Sequence, residues 1–254
     1  MSKAFDFAKC IEGSGSYDGH MIPTGSGGTG IAGEMRFNTT TGQMEYWSTT
    51  SDTPQWRSID QAPLIFGVRY LVVAGGGSGG SSQYSYVAAG GGGAGGYLTA
   101  TTTNISLNTA YTVTVGAGGA RQTSNRVRGN AGANSVFSSF TAIGGGGGGA
   151  AQMSYYNIAN AHAGDGGSGG GVGGYAQHNG GANVGTGTSG QGNNGGGPSG
   201  NDKWAGGGGG GAGAAGGDAS NSVINYDTPG TGGAGLSNDI TGTSITYAGG
   251  GGGG

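Results

Sequence analysis

Between Glu34 and Ile59, polar and apolar positions alternate in three short runs: Glu34-Met35-Arg36-Phe37-Asn38, Gln43-Met44-Glu45-Tyr46-Trp47 and Gln55-Trp56-Arg57-Ser58-Ile59. Alternation at period two marks half-buried strands, and Thr39 to Gly42 and Ser48 to Pro54 supply the turn residues between them. The expected element is a β-hairpin followed by a third strand that places Trp56 and Ile59 against it. Three short strands bury little surface by themselves, so this unit is expected to lean on other chains or other proteins.

From Leu64 the pattern changes. Short apolar runs each lead into glycine: Val68 to Ala74 into Gly75-Gly76-Gly77, Tyr111 to Val115 into Gly116-Ala117-Gly118-Gly119, and Val136 to Ile143 into the glycines from Gly144. A further copy, Ser244 to Ala248, leads into Gly249 to Gly254, while Tyr97 to Thr102 and Asn104 to Leu107 add strands between the first and second copies. This is an irregular repeat of strand followed by glycine rod. The organisation expected is an attachment module over 1–62, a β-rich start of the glycine-rich region over 63–143, and glycine rods with connecting loops over 144–254.

Glycine makes up 70 of the 254 residues, against about 7% in ordinary proteins. Side chains whose burial would offset chain entropy are therefore sparse. A flexible coil is one reading of such runs, but linkers seldom alternate with β-branched strands and aromatic loops in a repeated order. Collagen would need strict Gly-X-Y spacing and abundant proline, and the chain has 5 prolines. The remaining form is polyglycine II, an extended helix of about three residues per turn with no internal hydrogen bonds. Its buried N–H and C=O groups must pair with neighbouring rods, which glycine permits on several faces at once. The fold class expected is all-β or irregular: short antiparallel strands plus bundled polyglycine II helices, with little or no α-helix.

Charge and chemistry narrow the function. With a net charge of −3 and 8% charged residues, no basic surface is available for nucleic acid. Arg121, Arg126 and Arg128 cluster locally and read as a solvated loop before a site for anionic sugars or lipid phosphates. No apolar stretch approaches a membrane span, and Met1 to Cys10 lacks a signal-peptide core, so neither membrane insertion nor general secretory export is expected. The lone Cys10 supports no disulfide framework, and His20, His162 and His178 lack metal or triad spacing. Gly-x-Gly-x-x-Gly matches carry no dinucleotide signal in so glycine-rich a chain, and no phosphate-loop ending exists. Asp165, Asp202, Asp218, Asp227 and Asp239 are too scattered to suggest paired carboxylates or a calcium loop. No enzyme activity, metal or cofactor is expected.

The aromatic residues carry more information. In the glycine-rich half they fall in short interruptions: Tyr84 and Tyr86, Tyr155 and Tyr156, Tyr175 with His178, Trp204 beside Asp202 and Lys203, and Tyr226 beside Asn225 and Asp227. A ring face next to amide and carboxylate groups suits sugars or protein loops. Tyr155, Tyr156, Trp204, Tyr226, Tyr175 and His178 are the candidate receptor-binding residues. The bland reading is that these rings cover rod ends or pack between subunits.

Two stretches resemble known modules. Gly33 to Trp47, closing with Gln55-Trp56, is similar to a hairpin module of phage tail-fibre and baseplate proteins. Tyr70 to Gly77, Gly90 to Tyr97, Tyr111 to Gly119 and Ser135 to Gly144 resemble, in the right order, the glycine-rich domain of phage tail fibres. Beyond Gly144 the similarity is compositional and extends to distal phage adhesins, whose polyglycine II rods stack and whose loops select the host receptor. Members of that family commonly finish with an apolar strand, whereas this sequence finishes in glycine. The resemblance implies a virion protein, a tail fibre or adhesin binding a bacterial glycan or outer-membrane protein. It also implies other tail or baseplate proteins as partners and, because such fibres are commonly threefold, a homotrimer. The competing classes are a purely structural fibre, baseplate or capsid-decoration protein and, more remotely, an ice-binding polyglycine II protein or a receptor ectodomain module. The irregular loop spacing and the single cysteine argue against the last two.

Overall fold

A computed structural model describes residues 29, 34–49, 54–59, 65–83, 85–106, 109–151, 158–174, 182–198, 204–220 and 227–254. They belong to two compact units, one of Met1–Phe66 with Asn104–Asn108 and one of Gly67–Thr103 with Thr109–Gly254. Among the described residues there is no α-helix, only strands, turns, irregular extended segments and short 3-10 stretches such as Ile158–Asn160.

In the first unit, β1 (Met35–Asn38), β2 (Gln43–Ser48) and β3 (Gln55–Ser58) form an antiparallel sheet in sequence order. The hairpin expected from the alternation is present. Its turn closes because the Asn38 side-chain oxygen accepts the N–H groups of Thr40 and Thr41 at 2.9 and 3.1 Å, and Gly42 takes the positive φ of 69° that the turn requires. Register places Arg36 opposite Glu45 and Trp47 opposite Trp56. Arg36, Asn38, Glu45, Trp47 and Ser58 on this face are buried, while Met35 on the other is exposed. Trp56 meets Trp47 edge-on at 5.4 Å. Ile59 does not pack as expected: it lies beyond β3 and is exposed.

β4 (Ile65–Val73) pairs with β5 (Tyr97–Ser106), most of both strands belonging to the second unit, and within that unit β6 (Val113–Thr114), β7 (Ser135–Phe137) and β8 (Phe140–Ala142) form a three-stranded sheet. β9 (Leu236–Asn238) pairs antiparallel with β10 (Ile245–Tyr247). The sequence pattern splits β5 into two strands where one forms, and merges β7 and β8 into one where a turn at Ser138, φ 54°, intervenes. Val72, Ala74 and Ala142 make a small apolar cluster with Tyr70, Leu98 and Phe137 against it. Tyr70 also stacks on Phe140 at 4.5 Å. This cluster sits where β4, β5 and β8 meet glycine segments, so it fixes where those segments begin.

The glycine segments are rods without regular internal hydrogen bonding, held by their neighbours. The N–H groups of Ala74, Gly77 and Gly80 donate to the carbonyls of Gly96, Gly93 and Gly90, and those of Gly75, Ser78 and Ser81 donate to Ala133, Asn130 and Val127. Partners advance three residues at a time, so residues three apart share a face. That is the repeat of a polyglycine II helix. Among the described glycines, positive φ is confined to turns and bends, at Gly42, Gly190 and Gly242, so the rod glycines serve close approach. At Gly209, a Cβ would fall on the carbonyl of Gly92 in the adjacent rod.

Candidate functional site

Hydrogen bonds between rods align their ends. Ser81 donates to Val127 and accepts from Ala151, and Ala150 donates to Asn160. Gly80 donates to Gly90, Gly174 to Ala88 and Ala88 to Trp204. Gly206 donates to Gly254, Gly230 to Gly206 and Ala219 to Gly197. The rods ending at 81, 151, 174, 198 and 220 therefore finish at one end of the bundle, where those resuming at 88, 160, 182, 204 and 228 begin. The sheets β4–β5 and β6–β8 lie at the other end.

One sequence-selected ring lies among the described residues at the loop-bearing end. Trp204 is 41% exposed and Tyr86 is 48% exposed. Their ring centroids are 4.8 Å apart and tilted by 48°. Trp204 is positioned through its backbone: its N–H donates to the Asp227 carboxylate at 2.7 Å, and its carbonyl accepts from Ala88 at 2.7 Å. Tyr155, Tyr156, Tyr175, His178 and Tyr226 lie outside the described residues, as do Tyr84, Asp202, Lys203 and Asn225. The described residues flanking each of them are at this same end. Tyr86 as the partner of Trp204 was not legible beforehand, because nothing in sequence says which interruptions share an end.

The loop carrying Arg121, Arg126 and Arg128 joins this end as well, since Val127 is bonded to Ser81. Arg121 and Arg128 are exposed. The carboxylates have structural partners. Asp165 accepts both the N–H and the hydroxyl of Thr186 at 2.7 Å, and these bonds, with a smaller contribution from the Arg128 charge, hold its pKa below the ordinary value. Asp218 accepts the Gly197 N–H at 2.6 Å. Asp239 pairs with Arg69, and that hydrogen bond and charge lower its pKa too. His162 accepts the Asn183 N–H through Nδ1 at 2.8 Å. Among the described residues, no group of His, Cys, Asp and Glu is arranged to hold a metal ion, and no helix is long and apolar enough to cross a membrane. Cys10 and His20 are outside the described residues.

The sequence profile of the glycine-rich domain family matches residues 59–254. The chain belongs to the glycine-rich domain family. No curated protein and no solved structure matches it. In this glycine-rich domain the chemistry-bearing side chains are held by a scaffold that has almost none of its own. Among the described residues, the largest fully buried side chains are Val172 and Ser168.

Proposed function

We propose that this chain is a bacteriophage virion protein, a tail-fibre or adhesin subunit that binds a glycan or outer-membrane protein on the bacterial surface. The observation supporting this most directly is the half-exposed Tyr86–Trp204 pair at the loop-bearing end of the rod bundle. The rods themselves make poor recognition surfaces, because their backbone groups are largely committed to neighbours and they have no distinctive side-chain shape. Loops on a rigid scaffold vary without disturbing it, and binding residues concentrate there. Tyr155, Tyr156, Tyr175, His178 and Tyr226 belong to the same proposed surface. The function is attachment without catalysis.

Assembly is part of the proposal. The chain forms a homo-oligomer, a trimer by resemblance, anchored to other tail or baseplate proteins through residues before about Ile59. Strand β6 supports association: it is an edge strand whose Val113 is 68% exposed, and Val115 just beyond it is 85% exposed. Native proteins seldom leave an apolar edge uncovered. A monomer by light scattering at micromolar concentration would defeat this part.

Recognition is tested with purified protein on a panel of bacterial cells, which avoids the avidity of whole particles. Tyr86→Ala with Trp204→Ala is expected to leave the circular dichroism unchanged. It should weaken binding to the susceptible cells by roughly thirtyfold, the loss of about 2 kcal/mol that an anchoring ring supplies. Unchanged binding would turn the reading toward a structural fibre whose rings are covered by neighbouring subunits.

A further inference from the structure

The rod over 88–96 lies at the centre of a ring of rods. It accepts from 74–81, with Gly77 donating to Gly93, and donates to 143–151, with Gly93 donating to Gly146. It is bonded to 168–174 through Gly171 and Gly91, to 204–212 through Gly91 and Gly207, and to 248–254 through Gly251 and Gly92. Around this ring the outer rods are also bonded in sequence. Gly145 donates to Gly75, Gly146 to Ser168, Gly207 to Val172 and Gly209 to Gly251. The ring stays open between 248–254 and 74–81, for which no bond joins the described residues. A hexagonal array has a sixth position there, and a groove of about 450 Å³ occupies it, floored by 89–94 and walled by 76–80 and 249–254.

This groove differs from the closed rod contacts in two respects. N–H and carbonyl groups engage successive neighbours of a rod in alternation, so the open position faces the N–H groups of Ala89 and Gly92 on the floor and the carbonyls of Gly77 and Gly80 on one wall and of Gly249 and Gly252 on the other, none of which has a partner among the described residues. Each pair is spaced by three, so these free groups repeat every ~9 Å, one turn of a polyglycine II helix. The second difference is steric. A Cβ at Gly76 or Gly79 would come no nearer than 3.6 and 3.5 Å to the chain's own atoms. Contacts within the chain therefore do not explain glycine at these positions. A body seated in the groove would.

We propose that the groove receives one further polyglycine II rod, supplied by a separate polypeptide. Such a rod presents carbonyls at the repeat of the floor N–H groups and N–H groups at the repeat of the wall carbonyls, and its lack of side chains lets it reach the floor as 74–81 and 248–254 do. No aromatic ring lines the groove to stack a sugar, and no charged side chain lines it to hold an ion. The surface is distinct from the Tyr86–Trp204 pair, so it stands or falls independently of the receptor reading.

The probe is a dye-labelled soluble peptide carrying the chain's own 204–212 sequence between lysines, titrated into the full chain. Saturable binding that is little changed by salt is expected, with slowed amide exchange at Ala89 and Gly92. Gly76→Val with Gly79→Val, whose Cβ atoms meet the chain's own backbone only at ordinary contact distance, is expected to weaken binding at least tenfold with the melting curve preserved. No saturable binding at millimolar peptide, binding without protection of those amides, or equal binding to a folded double variant would each overturn the proposal. Equally tight binding of a polyproline peptide, which has no N–H groups to bond the groove's acceptors, would also overturn it. If the double variant fails to fold, the amide-exchange result on the unaltered chain decides.

Discussion

The two units reach order by opposite means. In the β1–β3 sheet, side chains meet across strands. The Arg36 guanidinium grips the Glu45 carboxylate through Nε at 2.8 Å and Nη2 at 2.7 Å, Asn38 donates to the same carboxylate at 2.7 Å, and the Trp56 ring covers Arg36 at 4.1 Å. In the rod bundle, backbones meet directly and side chains are excluded from the contacts. A charged group can be buried in the first case because its partners are matched to it. In the second, packing rests on the absence of a methyl group, and stability is spread over many equivalent N–H···O=C bonds of ordinary length.

The contrast is sharpest where one carbon atom is added. Gly209→Val would drive a side chain into the Gly92 carbonyl, and neither backbone can yield without breaking its other bonds. The expected loss exceeds the roughly 1–3 kcal/mol of an overfilled ordinary core and reaches the 4–5 kcal/mol class of exceptional single substitutions. A thermal melt would show it as unfolding or a large drop in melting temperature. Gly79→Ala, in the same bundle but facing the open groove, is expected to be neutral or slightly stabilising by about 0.4–1 kcal/mol through the unfolded chain. Equal losses for the two would mean that close backbone approach is not what holds the rods.

In the sheet, the sensitive atom is a charge. Glu45→Ala removes the carboxylate and leaves Arg36 buried without its counter-charge, a change worth about 3–5 kcal/mol. Tryptophan fluorescence should follow it, since Trp47 and Trp56 flank the pair. A loss under about 1 kcal/mol would imply that water reaches the guanidinium after all.

Asp165 links the two styles, a side chain bonded to a neighbouring rod. Its pKa is depressed in the folded chain, so its stabilising contribution is fully present above the ordinary value of 3.8 and is lost as pH falls through the lower folded value. The difference in melting temperature between the native chain and Asp165→Asn should therefore shrink below about pH 4. With solvent screening its size is expected to stay below about 1 kcal/mol. A difference that grew on acidification would reverse the assignment. The smallest effect is expected for Asp239→Asn, because the Arg69–Asp239 pair is largely exposed. Its melting temperature should match the native chain within measurement scatter, and a clear drop would give surface pairs a weight the backbone bonds are here said to carry.

Much of this division was legible beforehand. Alternation located β1, β2 and β3, and apolar runs before glycine located β4, β6 and β10. The glycine runs pointed to bonded rods because an extended helix without internal hydrogen bonds must pair outward. Register within the bundle was not legible, since a rod of identical residues carries no mark saying which rod it meets. β9 was missed for a related reason: Leu236-Ser237-Asn238 is too short and polar to stand out without β10 beside it. That the buried face would be the one carrying Arg36 and Glu45 was not legible, because alternation gives two faces and does not say which is covered. At the candidate site, Trp204 was legible as an aromatic interruption, whereas its partnership with Tyr86 depends on rod alignment.

The three-residue repeat gives every rod a reading frame. Inserting or deleting one residue would turn all later residues by about a third of a turn and present each neighbour with the wrong donors and acceptors. A change of three residues would lengthen or shorten the rod by one turn and leave the pairing beyond it in phase. Loops are under no such constraint, since their ends are fixed by the rods and their length is not. Divergence in this architecture is thus channelled: the bundle changes length in whole turns, while the loop-bearing end varies freely in both length and composition.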